Sequence, residues 1–122
     1  MTTFNPDLSV LREQLSRTVP QVDQLLVVDN GSSAADSIQA VVEGFTKTYW
    51  FSLGENRGLG YAHNLGIRKA LESGAESVLI LDLDTLPEAD MGSVVAEALV
   101  SSSTPDSNVA AVGARYVGMQ NN

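Results

Sequence analysis

Two carboxylates separated by a single residue follow a short apolar run. Residues 78–81 are all apolar, and Asp82 and Asp84 come directly after them. Such a run is typical of a buried strand, and side chains two residues apart on an extended segment point to the same side. Hard divalent cations prefer carboxylate oxygens, and Mg²⁺ commonly takes one or two carboxylates together with phosphate oxygens of a substrate. The spacing therefore predicts a site for Mg²⁺ or Mn²⁺ at the end of a strand.

Polar residues also follow two earlier apolar segments, 24–29 and 46–53. The residues concerned are Asp29, Asn30, Ser32, Glu55, Asn56 and Arg57. If the three segments are parallel strands, their carboxyl ends share one edge, which is where open sheets bind ligands. Because Asp, Asn, Gly and Ser also favour turns, any one of these loops needs no ligand to explain it. Three such loops at one edge favour a binding site.

The segments that carry these loops alternate between two patterns. Residues 24–29, 46–53, 78–81 and 109–113 are short and apolar or β-branched, which indicates strands. Residues 5–17, 35–44, 61–74 and 88–101 have helical spacing or terminal glycines, and Asn5 and Pro6 suit the start of the first helix. This alternation predicts an α/β fold of three layers, with helices on both faces of a mostly parallel sheet.

Length and composition limit the class of protein. The chain has 122 residues, of which 43% are hydrophobic and 18% charged, and this suits one globular domain. Its net charge of -8 argues against a nucleic-acid partner, which would need clustered Lys and Arg. It has no cysteine, which fits a reducing compartment, and no apolar run long enough to cross a bilayer. We expect a cytoplasmic protein.

Other families with comparable acidic segments fit less well. Haloacid-dehalogenase phosphatases want Thr or Val two residues after the second Asp, where this chain has Leu86. A response-regulator receiver needs a lysine on a late strand, whereas the lysines are Lys47 and Lys69. Dinucleotide binding by "GLGYAH" fails because His63 occupies the third glycine position. A metal-dependent phosphatase-like domain and a catalytically silent nucleotide-binding domain remain as alternatives.

Four motifs give the chain a resemblance to a known family. They are "TFNPD" from Thr3, "LLVVDNGSS" from Leu25, "LGENRGLGYAHNLGI" from Leu53 and "LILDLDTLPEADM" from Leu79. In this order they resemble the nucleotide-sugar-binding half of an inverting GT-A glycosyltransferase of family 2, with a Rossmann-like fold. The first and last motifs are most similar to rhamnosyltransferase-type members.

The resemblance implies a role for each residue of the first two motifs that matches the family pattern. Thr3 and Phe4 would flank the base and ribose of the nucleotide. Asp29 would accept a hydrogen bond from the imide of the base.

The other two motifs imply the diphosphate and metal contacts. Asn56 and Arg57 would belong to the nucleotide-sugar site, with Arg57 near the base or diphosphate. Asp82 would approach the ribose or sugar, and Asp84 would ligate the Mg²⁺ or Mn²⁺ ion that bridges the diphosphate.

The resemblance also implies partners and a setting. The donor would be a dTDP- or UDP-sugar, with rhamnose as the candidate sugar. The acceptor would be a glycan or a lipid-linked glycan of cell-wall polysaccharide biosynthesis, reached from the cytoplasmic face of the inner membrane.

Part of the family's domain has no counterpart in this chain. The general base of the family lies in a downstream acceptor half, and most of the central first strand is also missing. We therefore expect residues 1–122 to be a partial GT-A domain that transfers no sugar alone. Exposed sheet edges, or a slot in the sheet, should then promote self-association.

Overall fold

A computed structural model describes residues 1–107 and 109–113. In chain order its elements are β1 (Thr2–Thr3), α1 (Leu8–Thr18), a 3₁₀ turn (Val19–Gln21), β2 (Leu25–Asp29), α2 (Ala35–Glu43), β3 (Thr48–Ser52), α3 (Leu59–Glu72) and α4 (Met91–Ser101). The three strands form a parallel sheet in the order β1-β2-β3. The predicted α/β fold is confirmed: it is a small parallel sheet with flanking helices, as in half of a GT-A domain.

Both faces of the central strand β2 are covered, as its continuous apolar sequence predicts. On one face Val27 packs into a buried cluster with Leu11 and Leu15 of α1 and with Ile38 and Val42 of α2. On the other face β2 meets α3, where Gly66 lies close to a methyl group of Val28. The helices therefore form layers on the two sides of the sheet.

The first helix begins later than its sequence predicts. Asp7, not Asn5, is the N-cap, and one carboxylate oxygen of Asp7 accepts hydrogen bonds from the N–H groups of Ser9 (2.8 Å) and Val10 (3.1 Å). Asn5 instead lies in the left-handed region with φ of 45°. Its side-chain oxygen accepts a hydrogen bond from the N–H of Ser33, in the loop after β2. The prediction of an Asn5 cap was wrong because a second capping residue followed two positions later.

Two predicted strands do not form. Residues 78–81 and 109–113 take part in no β-ladder within the described parts of the chain. β1 is only two residues long and pairs with the carboxyl-terminal half of β2, so residues 78–81 have no strand beside them. A strand needs a neighbour to satisfy its backbone polar groups, whatever its own composition.

A cavity of about 680 Å³ lies between β2, α3, α4 and residues 78–81. Its walls include Leu25 and Leu26 of β2, residues 78–81 and side chains of α3 and α4. At its border the α-amino group of Met1 donates a hydrogen bond to the carbonyl oxygen of Leu26 (3.0 Å). Among the helices that the structure describes, none has the length and apolar character to cross a membrane.

Candidate functional site

The three strands end in register. Thr3 of β1 pairs with Asp29 of β2, and Asp29 pairs with Ser52 of β3. The loops that follow these strands therefore meet at one edge of the sheet, which is the edge where open parallel sheets bind ligands.

Asp29 is fully buried (0% exposed) and is held by three hydrogen bonds. Its Oδ1 accepts from the hydroxyl of Thr3 (2.9 Å) and from the hydroxyl of Ser32. Its Oδ2 accepts from the backbone N–H of Ser32 (2.9 Å). Thr3 is also 0% exposed. In this conformation the two side chains that were predicted to face a nucleotide face each other, and neither presents surface to a ligand.

Asn5 joins the loop after β1 to the loop after β2. The N–H of Asn5 donates to Ser32 Oγ (2.8 Å), and Asn5 Oδ1 accepts from the N–H of Ser33 (2.9 Å). Between β1 and Asn5, Phe4 is 43% exposed. An exposed aromatic ring on a fixed backbone can stack on a nucleotide base.

Asn30 holds the glycine-rich loop after β3. It is only 4% exposed, its Oδ1 accepts from the N–H of Arg57 (2.8 Å), and its Nδ2 donates to Asn56 Oδ1 (3.2 Å). Asn56 Oδ1 also accepts from the N–H of Gly58 (2.9 Å). Asn56 was predicted to bind the nucleotide sugar, and here its side-chain oxygen constrains its own loop.

Gly31 lets the two loops pack backbone against backbone. Its φ is 88°, and a Cβ built there would lie 2.5 Å from the carbonyl carbon of Glu55. No other residue fits such an approach without moving one of the loops.

The Arg57 side chain is 46% exposed and lies along its own loop. Its Nε contacts Glu55 Oε1 (3.1 Å), its Nη1 donates to the Tyr61 hydroxyl (3.3 Å), and its guanidinium lies 5.3 Å from the centre of the Tyr61 ring. The hydrogen bond to Tyr61 raises the pKa of Arg57, so the side chain stays cationic. Because exposed pairs of this kind cost little to break, the guanidinium can turn to a bound anion.

Asp82 and Asp84 are exposed, and neither belongs to an ion pair within the described residues. They do not lie on an extended segment, because Thr85 N–H donates to the Asp82 carbonyl oxygen (3.3 Å) and closes a turn. The prediction that two-residue spacing on a strand aligns both carboxylates was therefore wrong. Without a neighbouring strand, the chain turns here.

The described residues around these carboxylates do not form a complete metal site. In the described part of the chain no three His, Cys, Asp or Glu residues are grouped to hold a metal ion. Two carboxylates are nevertheless enough for Mg²⁺ when phosphate oxygens and water complete its shell. Any cation held here would therefore need most of its ligands from outside these residues.

Some residues that shape the site had no predicted role. Asn30 and Ser32 were expected at this edge, but their work as anchors of the loops was not foreseen. Gln14 was missed altogether, and its Nε2 donates to the Asp82 carbonyl oxygen (2.6 Å). The sequence signal for Gln14 was a polar residue on the apolar face of α1, three residues after Leu11 and one before Leu15.

Known proteins resemble this chain over most of its length. The model of the family described as Glycosyl transferase family 2 matches residues 1–119. The dTDP-rhamnosyl transferase RfbF of Shigella flexneri is 32% identical over 85 residues, which are 70% of this chain and 28% of that relative. The chain therefore spans well under half the length of this curated relative. No solved structure matches it. Since the family model covers all but the last residues, the chain belongs to glycosyltransferase family 2.

Proposed function

We propose that this chain is the donor-binding portion of a glycosyltransferase that takes a sugar from a nucleoside diphosphate with the help of Mg²⁺ or Mn²⁺. The name of the relative from Shigella flexneri supports dTDP-rhamnose as the donor, with a UDP-sugar as the other candidate. The acceptor would be a glycan or a lipid-linked glycan. The observation that carries the proposal is the register of Thr3, Asp29 and Ser52, because it brings the loops of Phe4 and Arg57 to one edge.

The exposed groups at this edge suit the parts of a sugar nucleotide. Phe4 offers a ring to the base, and the planar donor fork of Arg57 matches phosphate oxygens. Asp84 would hold the ion, and Asp82 would approach the ribose or sugar. When bound, that ion would neutralise the charge that builds up on the departing nucleoside diphosphate.

The buried hydrogen bonds prepare the edge for binding. Asp29 fixes the loop after β2 to β1, and Asn30 fixes the backbone at Arg57. Loops that are already ordered lose less conformational entropy when a ligand binds. We therefore assign Thr3, Asp29 and Asn56 to the support of the donor site, and Phe4, Arg57, Asp82 and Asp84 to contact with the donor and its metal.

Calorimetric titration tests the proposal with dTDP and UDP in the presence of Mn²⁺. We expect the wild-type chain to bind at least one of them, and Arg57→Ala to weaken binding about tenfold, as loss of a charge-assisted contact would. Arg12→Ala is the matched control, because Arg12 is also exposed but lies on α1. A wild-type chain that binds neither nucleotide would contradict the proposal.

Phosphatase activity tests one of the two alternatives, the metal-dependent phosphatase-like domain. Hydrolysis of p-nitrophenyl phosphate that Asp84→Asn abolishes would favour the phosphatase-like hypothesis. We expect none, because Leu86 stands where those enzymes need Thr or Val.

A further inference from the structure

The acidic segment is attached to the rest of the molecule in an unusual way. Residues 77–85, which carry Asp82 and Asp84, form no ladder, and one hydrogen bond joins them to other described parts of the chain. That bond runs from Gln14 Nε2 to the Asp82 carbonyl oxygen (2.6 Å). The bond from Thr85 to Asp82 is internal to the segment.

Gln14 is a costly residue for its position. It is 0% exposed on α1, and its Oε1 has no hydrogen-bond partner within the described residues. A buried amide oxygen without a donor is unfavourable, and an apolar side chain of similar size would avoid that cost. Among the described residues, the side-chain amide of Gln14 bonds only to the Asp82 carbonyl oxygen, so the benefit of the amide lies at the acidic segment.

A second glutamine holds the next part of the chain. Gln21 Nε2 donates to the carbonyl oxygen of Glu88 (2.8 Å), and Gln21 Oε1 accepts from the N–H of Gly92 (2.7 Å). A Cβ at Gly92 would lie 3.2 Å from atoms of Gln21, so the start of α4 packs tightly against this residue. Gln14 therefore holds the turn that bears the carboxylates. Gln21 holds the segment that follows this turn and leads into α4.

We propose that Gln14 is a positioning residue, which holds the turn of residues 82–85 against α1 and so sets where the Asp82 and Asp84 carboxylates stand. Its side-chain amide satisfies one backbone carbonyl oxygen, that of Asp82, in a segment that has no neighbouring strand. The effect of Gln14 on metal binding rests on the proposed function. The hydrogen bond between Gln14 and the turn does not.

Amide hydrogen exchange, measured without any ligand, tests whether Gln14 holds the turn in place. In Gln14→Leu we expect the Thr85 amide, which donates to the Asp82 carbonyl oxygen, to exchange about tenfold faster, as loss of one net hydrogen bond from the turn implies. Gln14→Met, which keeps an unbranched side chain, serves if the leucine variant folds poorly. The matched control is Thr18→Val, because Thr18 is also buried on α1 but its hydroxyl bonds only within the helix, to the Gln14 carbonyl oxygen.

Metal binding provides the second readout. In the presence of dTDP, the Gln14 variants should bind Mn²⁺ about 10–100-fold more weakly, while dTDP binding without metal should stay as in the wild type. Equal exchange of the Thr85 amide in the Gln14 and Thr18 variants would overturn the proposal, and so would faster exchange with unchanged Mn²⁺ affinity. A wild-type chain without Mn²⁺-dependent binding would contradict the proposed function, while the exchange data would still decide whether Gln14 tethers the turn.

Discussion

Thr3 and Asp29 are hydrogen-bonded at the ends of β1 and β2 (2.9 Å), and both side chains are completely buried. β1 has only two residues in the sheet, so this contact adds to a very short ladder. It also brings Asp29 into place for Ser32, which orders the following loop.

Thr3→Val tests this contact. The change keeps the shape but leaves Asp29 without one donor, and we expect the free energy of unfolding to fall by about 1–3 kcal/mol. The control is Thr2→Val, because the buried hydroxyl of Thr2 has no hydrogen-bond partner within the described residues. That variant should be neutral or slightly stabilising. Urea denaturation measures both, and equal losses would contradict the assigned role of the Thr3 hydroxyl.

Gly31 and Gly54 allow the cost of a left-handed backbone to be compared with the cost of a clash between two loops. Both have positive φ, but only the Cβ at Gly31 would meet another loop, whereas nothing lies within 4 Å of one at Gly54. Gly54→Ala should cost about 1–2 kcal/mol of stability for the left-handed backbone. Gly31→Ala should cost about 1–3 kcal/mol more, from overpacking. Thermal unfolding measures the stability lost in each variant. Equal losses would contradict the close packing of the Gly31 loop against the loop of Glu55.

Asn30 and Arg57 should separate stability from binding. Asn30→Ala removes the acceptor for the Arg57 N–H and the partner of Asn56, so stability should fall by about 1–3 kcal/mol. Arg57→Ala keeps the backbone bond and loses only exposed contacts, so stability should change by less than about 0.5 kcal/mol. Its dTDP affinity should nevertheless fall. Chemical denaturation and calorimetry on the same samples check the pair, and a strongly destabilised Arg57→Ala would argue against it.

Stability should rise with pH because of the Met1 α-amino group. Burial lowers its pKa from 8.0 to about 6, so between these values the unfolded chain binds the proton and the folded chain does not. Raising the pH from 6 to 8 removes most of that preference for the unfolded state, which adds about 2 kcal/mol to the free energy of unfolding. Acetylation of Met1 replaces the ammonium by an amide and should abolish this contribution. Urea titrations at pH 6 and 8 compare the two chains, and a parallel pH dependence would contradict the prediction.

The sequence predicted those parts of the fold that depend on local composition. β2 and β3 were found because each is a continuous apolar or β-branched run, and α2 and α3 because their glycines mark real ends or turns. Residues 78–81 are as apolar as the start of β2 but form no strand. A segment becomes a strand only if another strand lies beside it. The presence of such a neighbour cannot be read from residues 78–81 themselves.

The meeting of the loops was predicted, but the contacts within them were not. Asp29 pairs with Ser52, and the Arg57 N–H donates to Asn30, so the loops after β2 and β3 meet at one edge of the sheet, while donor binding there stays a prediction. Which side chains turn inward depends on tertiary contacts, and Thr3 and Asp29 bind each other while Phe4 remains exposed. Gln14 lies 68 residues from Asp82 in sequence, a separation that no local pattern reveals.

The coupling between Mn²⁺ and dTDP tests the central claim most directly. Mn²⁺ affinity is measured by electron paramagnetic resonance with and without dTDP, for the wild type, for Asp84→Asn and for Asp106→Asn, whose exposed carboxylate lies in the 104–107 turn. We predict that dTDP tightens Mn²⁺ binding about tenfold or more in the wild type and in Asp106→Asn, and that Asp84→Asn loses this effect. Mn²⁺ binding that is independent of dTDP, or equally coupled in Asp84→Asn, would contradict the account.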